Sequence, residues 1–123
     1  MSFVDSSTLT TLPSLDQSQA DALDFGIVKV DDEGNVLLYN QWESDMAGVP
    51  VASTMGKNFF TQVAPCTNNR LFFGRFKDGV SAGDLDTEFN YTFTYKMKPT
   101  NVVVRILRDG SSANWVFVAK RSV

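Results

Sequence analysis

Histidine is absent from this chain of 123 residues, and cysteine occurs once, at Cys66. Without histidine, the Ser–His and Cys–His pairs of nucleophilic catalysis cannot be assembled. One cysteine and no histidine also exclude the usual zinc sites and any disulfide within the chain. No run of Asp and Glu has the spacing of a calcium loop. Acids and bases are interspersed at a formal charge of −3, so no basic stripe recommends nucleic acid or an anionic membrane surface. No apolar run approaches the roughly 20 residues of a membrane span. Met1-Ser2-Phe3-Val4-Asp5 lacks the basic start and apolar core of a secretory signal. The expectation is a cytoplasmic protein without nucleic-acid or membrane partners, where a lone thiol stays reduced.

What is present is enough to fold. A hydrophobic content of 43%, with ten Phe, describes one globular domain with a real core. Residues 1–24 are polar and rich in Ser and Thr, and read as an N-terminal cap over a body spanning residues 25–123. Within the cap, Ser14 is expected to start a short helix, with Gln17 in the reciprocal capping position. Phe25 to Val30 and Val36 to Tyr39 read as two strands of a hairpin. Asp31-Asp32-Glu33-Gly34-Asn35 turns between them, with Gly34 suited to positive φ. Asn40 is a helix N-cap residue ahead of Gln41–Ala47, and Gly48 and Pro50 stop that helix. Short pieces broken by Gly56 and Pro65 lead to Cys66. Asn68 or Asn69 then caps a helix whose Phe72, Phe76 and Val80 form an apolar stripe beside Phe73, ending near Gly83.

The last third alternates. Phe89, Tyr91, Phe93, Tyr95 and Met97 interleave with Asn90, Thr92, Thr94, Lys96 and Lys98, which predicts a strand with one aromatic face. Pro99-Thr100-Asn101 turns the chain into a strand over Val102–Leu107. Asp109-Gly110-Ser111-Ser112 turns it again into Trp115–Lys120. The order predicts an α+β fold: five antiparallel strands, helices on one side enclosing a pocket against the aromatic strand, and Trp115 and Phe117 in the core.

Three residues carry candidate chemistry, each with an ordinary reading beside it. Cys66 is either a small buried hydrophobe or, more sharply, a covalent attachment point or a nucleophile. Tyr39 and Glu43, four apart across a helix start, either serve strand core and helix cap or converge on one bound oxygen. In an apolar pocket Glu43 would be neutral, because burial disfavours the charged form, and acid and phenol would then both be donors.

Taken with Gly56-Lys57-Asn58-Phe59-Phe60, Val63-Ala64-Pro65-Cys66-Thr67, Glu88 to Met97 and Trp115-Val116-Phe117-Val118, these residues make the chain resemble the photoactive yellow protein family. Those are bacterial blue-light receptors of the PAS fold, and the resemblance runs from about Leu23 to the C-terminus. It implies p-coumaric acid held as a thioester on Cys66, with the Cys66 backbone N–H on the thioester carbonyl. It implies Tyr39 and protonated Glu43 on the phenolate oxygen, and Phe59, Phe93 and Tyr95 around the ring. Met97 would influence thermal recovery, and Ala64, Pro65 and Thr67 would flank the attachment site. Light would drive a trans-to-cis isomerisation, Glu43 would give up its proton, and partial unfolding would signal to a downstream protein, the receptor itself being a monomer. Two positions depart from the better-known members: Ala47 stands where a threonine usually supports the pocket tyrosine, and Val49 where an arginine usually covers the pocket. The competing readings are a PAS-like module for a non-covalent ligand or protein partner, and a thiol enzyme or redox sensor. The latter lacks any evident activator for Cys66.

Overall fold

The computed structural model describes residues 6–94 and 99–120. Five strands, β1 (Gly26–Val30), β2 (Val36–Tyr39), β3 (Asp86–Phe93), β4 (Thr100–Arg108) and β5 (Asn114–Lys120), form one antiparallel sheet in the order β2-β1-β5-β4-β3. The expected hairpin is present. Asp31 folds its carboxylate back onto the backbone N–H groups of Glu33 (3.0 Å) and Asn35 (2.9 Å), and Gly34 takes the left-handed conformation at φ 95°. Neighbouring the last strand to the first puts β5 at the centre, paired with both β1 and β4.

Alternation gives the sheet two apolar faces. Val28, Val30, Val104, Ile106, Val116 and Val118 point to the front, where Phe59, Phe60, Phe72 and Phe76 cover them. Ile27, Leu38, Trp115 and Phe117 point to the back. The back is covered by the N-terminal segment: α1 (Ser6–Thr11), a 3-10 turn over Leu12–Ser14, and α2 (Gln17–Asp21). Leu12 and Ala20 are fully buried there. Each large side chain so buried contributes roughly 1.5–3 kcal/mol.

The front face carries α3 (Gln41–Ala47) and α4 (Arg75–Ala82), joined by irregular chain. Asn40 caps α3 by accepting from the Glu43 N–H at 3.1 Å, and Gly48 ends it in the left-handed conformation. Wide π-turns cover Phe59–Val63 and Arg70–Gly74, on either side of the 3-10 turn Pro65–Thr67 that holds Cys66. Such turns are rare and are found frequently at functional sites.

Three boundaries differ from those the sequence predicts. Asp16, not Ser14, caps α2, exchanging hydrogen bonds with Gln19 in a full capping box. Asp16 and Gln19 have the same spacing as Ser14 and Gln17, so local pattern does not separate the two frames. The aromatic strand begins earlier, at Asp86, because Arg105 on β4 binds both oxygens of Asp86 at 2.9 Å and draws the polar residues into the ladder. Thr100, expected in a turn, already pairs with Phe93. Tyr95 and Met97, expected on the same aromatic face, lie outside the described residues.

Candidate functional site

Between α3, the Cys66 turn and β3 lies a small cleft of about 270 Å³ counting its mouth. Tyr39, Glu43 and Cys66 line it together with Ala47, Val49, Val63, Ala64 and Phe93. The helix start explains the first pair. Tyr39 ends β2 and Glu43 lies one turn into α3, so the residues four apart face the same space.

Glu43 is the exceptional group. Its side chain is 2% exposed, and its Oε1 is buried with no hydrogen-bond partner. Burial pushes its carboxyl up from 4.5 to about 8, so the acid keeps its proton at neutral pH. Tyr39 is 1% exposed, and its phenol is raised above the ordinary tyrosine value, chiefly by burial and then by the charge of Glu43. Both groups are therefore hydrogen-bond donors. A neutral acid in a dry wall with an unused oxygen is a costly arrangement for a residue whose whole task is to cap a helix. Asn40 already performs the capping, which removes the ordinary explanation of Glu43.

Cys66 is half-buried and unpaired in any disulfide. Its carbonyl is held from two sides, by the Tyr91 hydroxyl donating at 2.6 Å and by the Asn69 side-chain amide at 3.2 Å. Asn69 also donates to the Tyr91 oxygen and accepts from Phe72 N–H, so the turn carrying the thiol is fastened to β3 and to the next helical segment. Thr67 turns inward, donating from its hydroxyl to the Ala64 carbonyl at 2.7 Å. On the far wall, the Ser44 hydroxyl donates to the Val49 carbonyl at 2.7 Å and fixes Val49 beside the cleft.

Of the residues expected here, the structure gathers Tyr39, Glu43, Ala64, Cys66 and Phe93 around one space. Phe59 is fully buried behind it, edge-on to Phe60 with ring centroids 5.2 Å apart, and does not line the cleft. Pro65 and Thr67 shape the turn without reaching the wall. Sequence reasoning missed Val63, Asn69 and Tyr91. Each left only an indirect signal: Val63 in the stretch before Cys66, Asn69 as a candidate helix cap, and Tyr91 in its place between Phe89 and Phe93 on the aromatic face. Among the described residues no cluster of acids and cysteine could hold a metal, and no helix is long and apolar enough to cross a membrane.

Asn40 joins this site to the cap. Its buried carboxamide accepts from the Ile27 and Glu43 N–H groups at 3.1 Å and donates to the Ala20 and Phe25 carbonyls at 2.9 Å. Beside it, Gln17 donates to the Tyr39 carbonyl (2.9 Å), and Asp21 accepts from the Gln41 N–H (2.8 Å).

The sequence matches the PAS fold family over residues 15–120. It is 39% identical over 110 residues to the photoactive yellow protein of Rhodothalassium salexigens, covering 89% of this chain and 88% of that protein. Against the photoactive yellow protein of Halochromatium salexigens it is 41% identical over 111 residues, covering 89% of each. Among solved structures it superposes on the photoactive yellow protein domain of the sensor histidine kinase Ppr from Rhodospirillum centenum with a TM-score of 0.85. That match has 40% identity and covers 90% of this chain and 98% of that one.

Proposed function

The chain belongs to the photoactive yellow protein family, a photoreceptor and not an enzyme, and we propose that it senses light through p-coumaric acid joined to Cys66 as a thioester. The observation that carries this reading is the buried, protonated Glu43, a residue with an unpartnered carboxyl oxygen that lines one cleft with Tyr39 and the only thiol. A phenolic acid bound there fits that set of residues: Tyr39 and Glu43 as two neutral donors for an anionic oxygen, Cys66 as a sulfur for the acyl carbon, and Phe93, Val63 and Ala64 in the same lining. Tyr39 and Glu43 would hold the phenolate oxygen, and the Cys66 backbone N–H the thioester carbonyl. Phe93 and Tyr95 would flank the ring, with Phe59 packing behind them and Met97 tuning recovery. When bound, the group supplies a double bond that light converts from trans to cis.

The protein's part is to hold a proton and to respond when it leaves. Glu43 stores the proton on a carboxyl that burial keeps neutral. Once deprotonated, it is a carboxylate closed off from water, with no cation among the described residues that line the cleft to compensate it. An uncompensated buried charge costs several kcal/mol, a large share of the roughly 5–15 kcal/mol that stabilises a small domain. The helix bearing Glu43 starts at Asn40, and through Asn40, Gln17 and Asp21 it is bonded to the cap. The strain is relieved there: the cap comes off the back of the sheet, and a downstream signalling protein reads the uncovered face.

The test is to produce the protein with activated p-coumaric acid and measure colour and intact mass, beside Cys66→Ala. Yellow protein heavier by one coumaroyl group, with an unmodified and colourless Cys66→Ala, supports the reading. Colourless wild-type protein of unchanged mass overturns it and leaves a PAS domain for some other ligand.

A further inference from the structure

We infer that Gly26 is a positioning residue for Glu43: the side chain it lacks is the space into which the acid's Oε1 fits, and this sets how far the carboxyl reaches into the cleft. Gly26 opens β1 and pairs with Val118 of the central strand β5, a place where glycine is a poor choice for strand stability. Its backbone does not ask for glycine, since the left-handed glycines are Gly34, Gly48, Gly56 and Gly83. The neighbours do. A Cβ at residue 26 would fall onto Glu43 Oε1, and would lie 3.3 Å from Glu43 Cδ and 3.1 Å from Trp42 Cε3. The oxygen it would strike is the one that is buried without a partner.

Nothing else in the arrangement can give way as easily as the Glu43 side chain. Asn40 Oδ1 accepts from both the Ile27 and the Glu43 N–H, which bolts the start of α3 to the residue following Gly26. The half-buried Trp42 ring closes the other side. With alanine at residue 26 the carboxyl rotates toward the cleft, where the titratable groups facing it are Tyr39 at the end of β2 and Cys66 on its turn. From β1 and β5 the residues on the face that α3 covers are Val28, Val116 and Val118, none of them charged. Leaving its dry niche for the cleft favours the ionised form, so the acid becomes stronger.

The consequence for colour rests on the light-sensing reading, whereas the titration of Glu43 does not, and the experiment separates the two. Glu43 is titrated in the protein without chromophore, following the carboxylic C=O band that Glu43→Gln removes, in wild type, Gly26→Ala, Glu43→Asp and the double variant. The wild-type midpoint is expected at about 8. Gly26→Ala is expected to lower it by one pH unit or more, a tenfold change in acidity. Adding Gly26→Ala to Glu43→Asp, whose shorter side chain vacates the niche, should move the midpoint by less than a third of a unit. A Gly26→Ala protein that melts lower but titrates like wild type overturns the inference, because that is what loss of strand packing alone produces. If Gly26→Ala does not fold, recovery of folding in the double variant supports the inference and failure there overturns it. In protein loaded with p-coumaric acid, Gly26→Ala should shift the absorption maximum. Failure of wild type to take up the chromophore defeats the light-sensing reading and leaves the titration result standing.

Discussion

Replacing Glu43 by glutamine should change how stability depends on pH in the chromophore-free protein. The carboxyl titrates near its ordinary 4.5 when the chain is unfolded and at about 8 when folded. Below 4.5 both states hold the proton, and stability is unaffected by this group. Between 4.5 and 8 the unfolded state has released the proton and the folded state has not, so each pH unit removes about 1.4 kcal/mol of stability. Above 8 both are ionised and the loss levels off. Summed to pH 7 the loss is on the order of 3 kcal/mol, and to pH 8 about 5 kcal/mol, a substantial part of a small domain's stability. Glutamine has nearly the same shape and does not titrate. Urea melts of both proteins at pH 5, 6, 7, 8 and 9 should give a difference in stability that grows in favour of glutamine up to pH 8 and is flat beyond. Groups that titrate elsewhere contribute alike to both proteins and cancel in that difference. A difference constant to within about 0.5 kcal/mol from pH 5 to pH 8 would refute the buried neutral acid, and with it the release of a stored proton as the driving event.

Tyr91→Phe removes the 2.6 Å hydrogen bond to the Cys66 carbonyl; it should cost about 1 kcal/mol in denaturant melts and make Cys66 react several-fold faster with a disulfide reagent. Asn40→Ala takes away four hydrogen bonds at once. It should cost about 2–4 kcal/mol and raise hydrogen exchange across residues 6–21, and unchanged exchange there would sever cap from site. In protein loaded with chromophore, Ala47→Thr puts a hydroxyl into the cleft wall and should shift the absorption maximum or the recovery rate. A variant matching wild type in both would remove Ala47 from the determinants of colour.

The sequence discloses what depends on neighbours along the chain and conceals what depends on neighbours in space. The hairpin turn at Asp31–Asn35, the Asn40 cap and the Gly48 stop all rest on one residue bonding its own backbone surroundings, and each stands where the residues place it. The pairing of Tyr39 with Glu43 is legible for the same reason. Phe59 is a different case. Sequence marks it as aromatic and buried, but which side of a ring stack faces the cleft is decided by Phe60 and Phe72, and they draw Phe59 into the core. The Asn69–Tyr91 clamp on Cys66 joins a turn to a distant strand, and no spacing rule announces it. Gly26 is harder still, since its role is a volume that a side chain from another element fills.

That distribution bears on why a charge in the cleft would be felt on the opposite face of the sheet. The front face of the sheet, on which α3 lies, is packed with Val28, Val104, Val116 and Val118, which offer a new carboxylate neither hydrogen bond nor room. The direct polar contacts leading away from the start of α3 run through the Asn40 carboxamide and the Gln17 and Asp21 side chains, all bonded to the cap. Close-packed apolar side chains resist a small displacement, whereas a set of hydrogen bonds ending on a short, partly exposed helix can be exchanged for water at modest net cost. In the proposed mechanism, relaxation would therefore take the route through α2. The surface it would uncover, Ile27, Leu38, Trp115 and Phe117, is apolar enough to make the change readable by another protein.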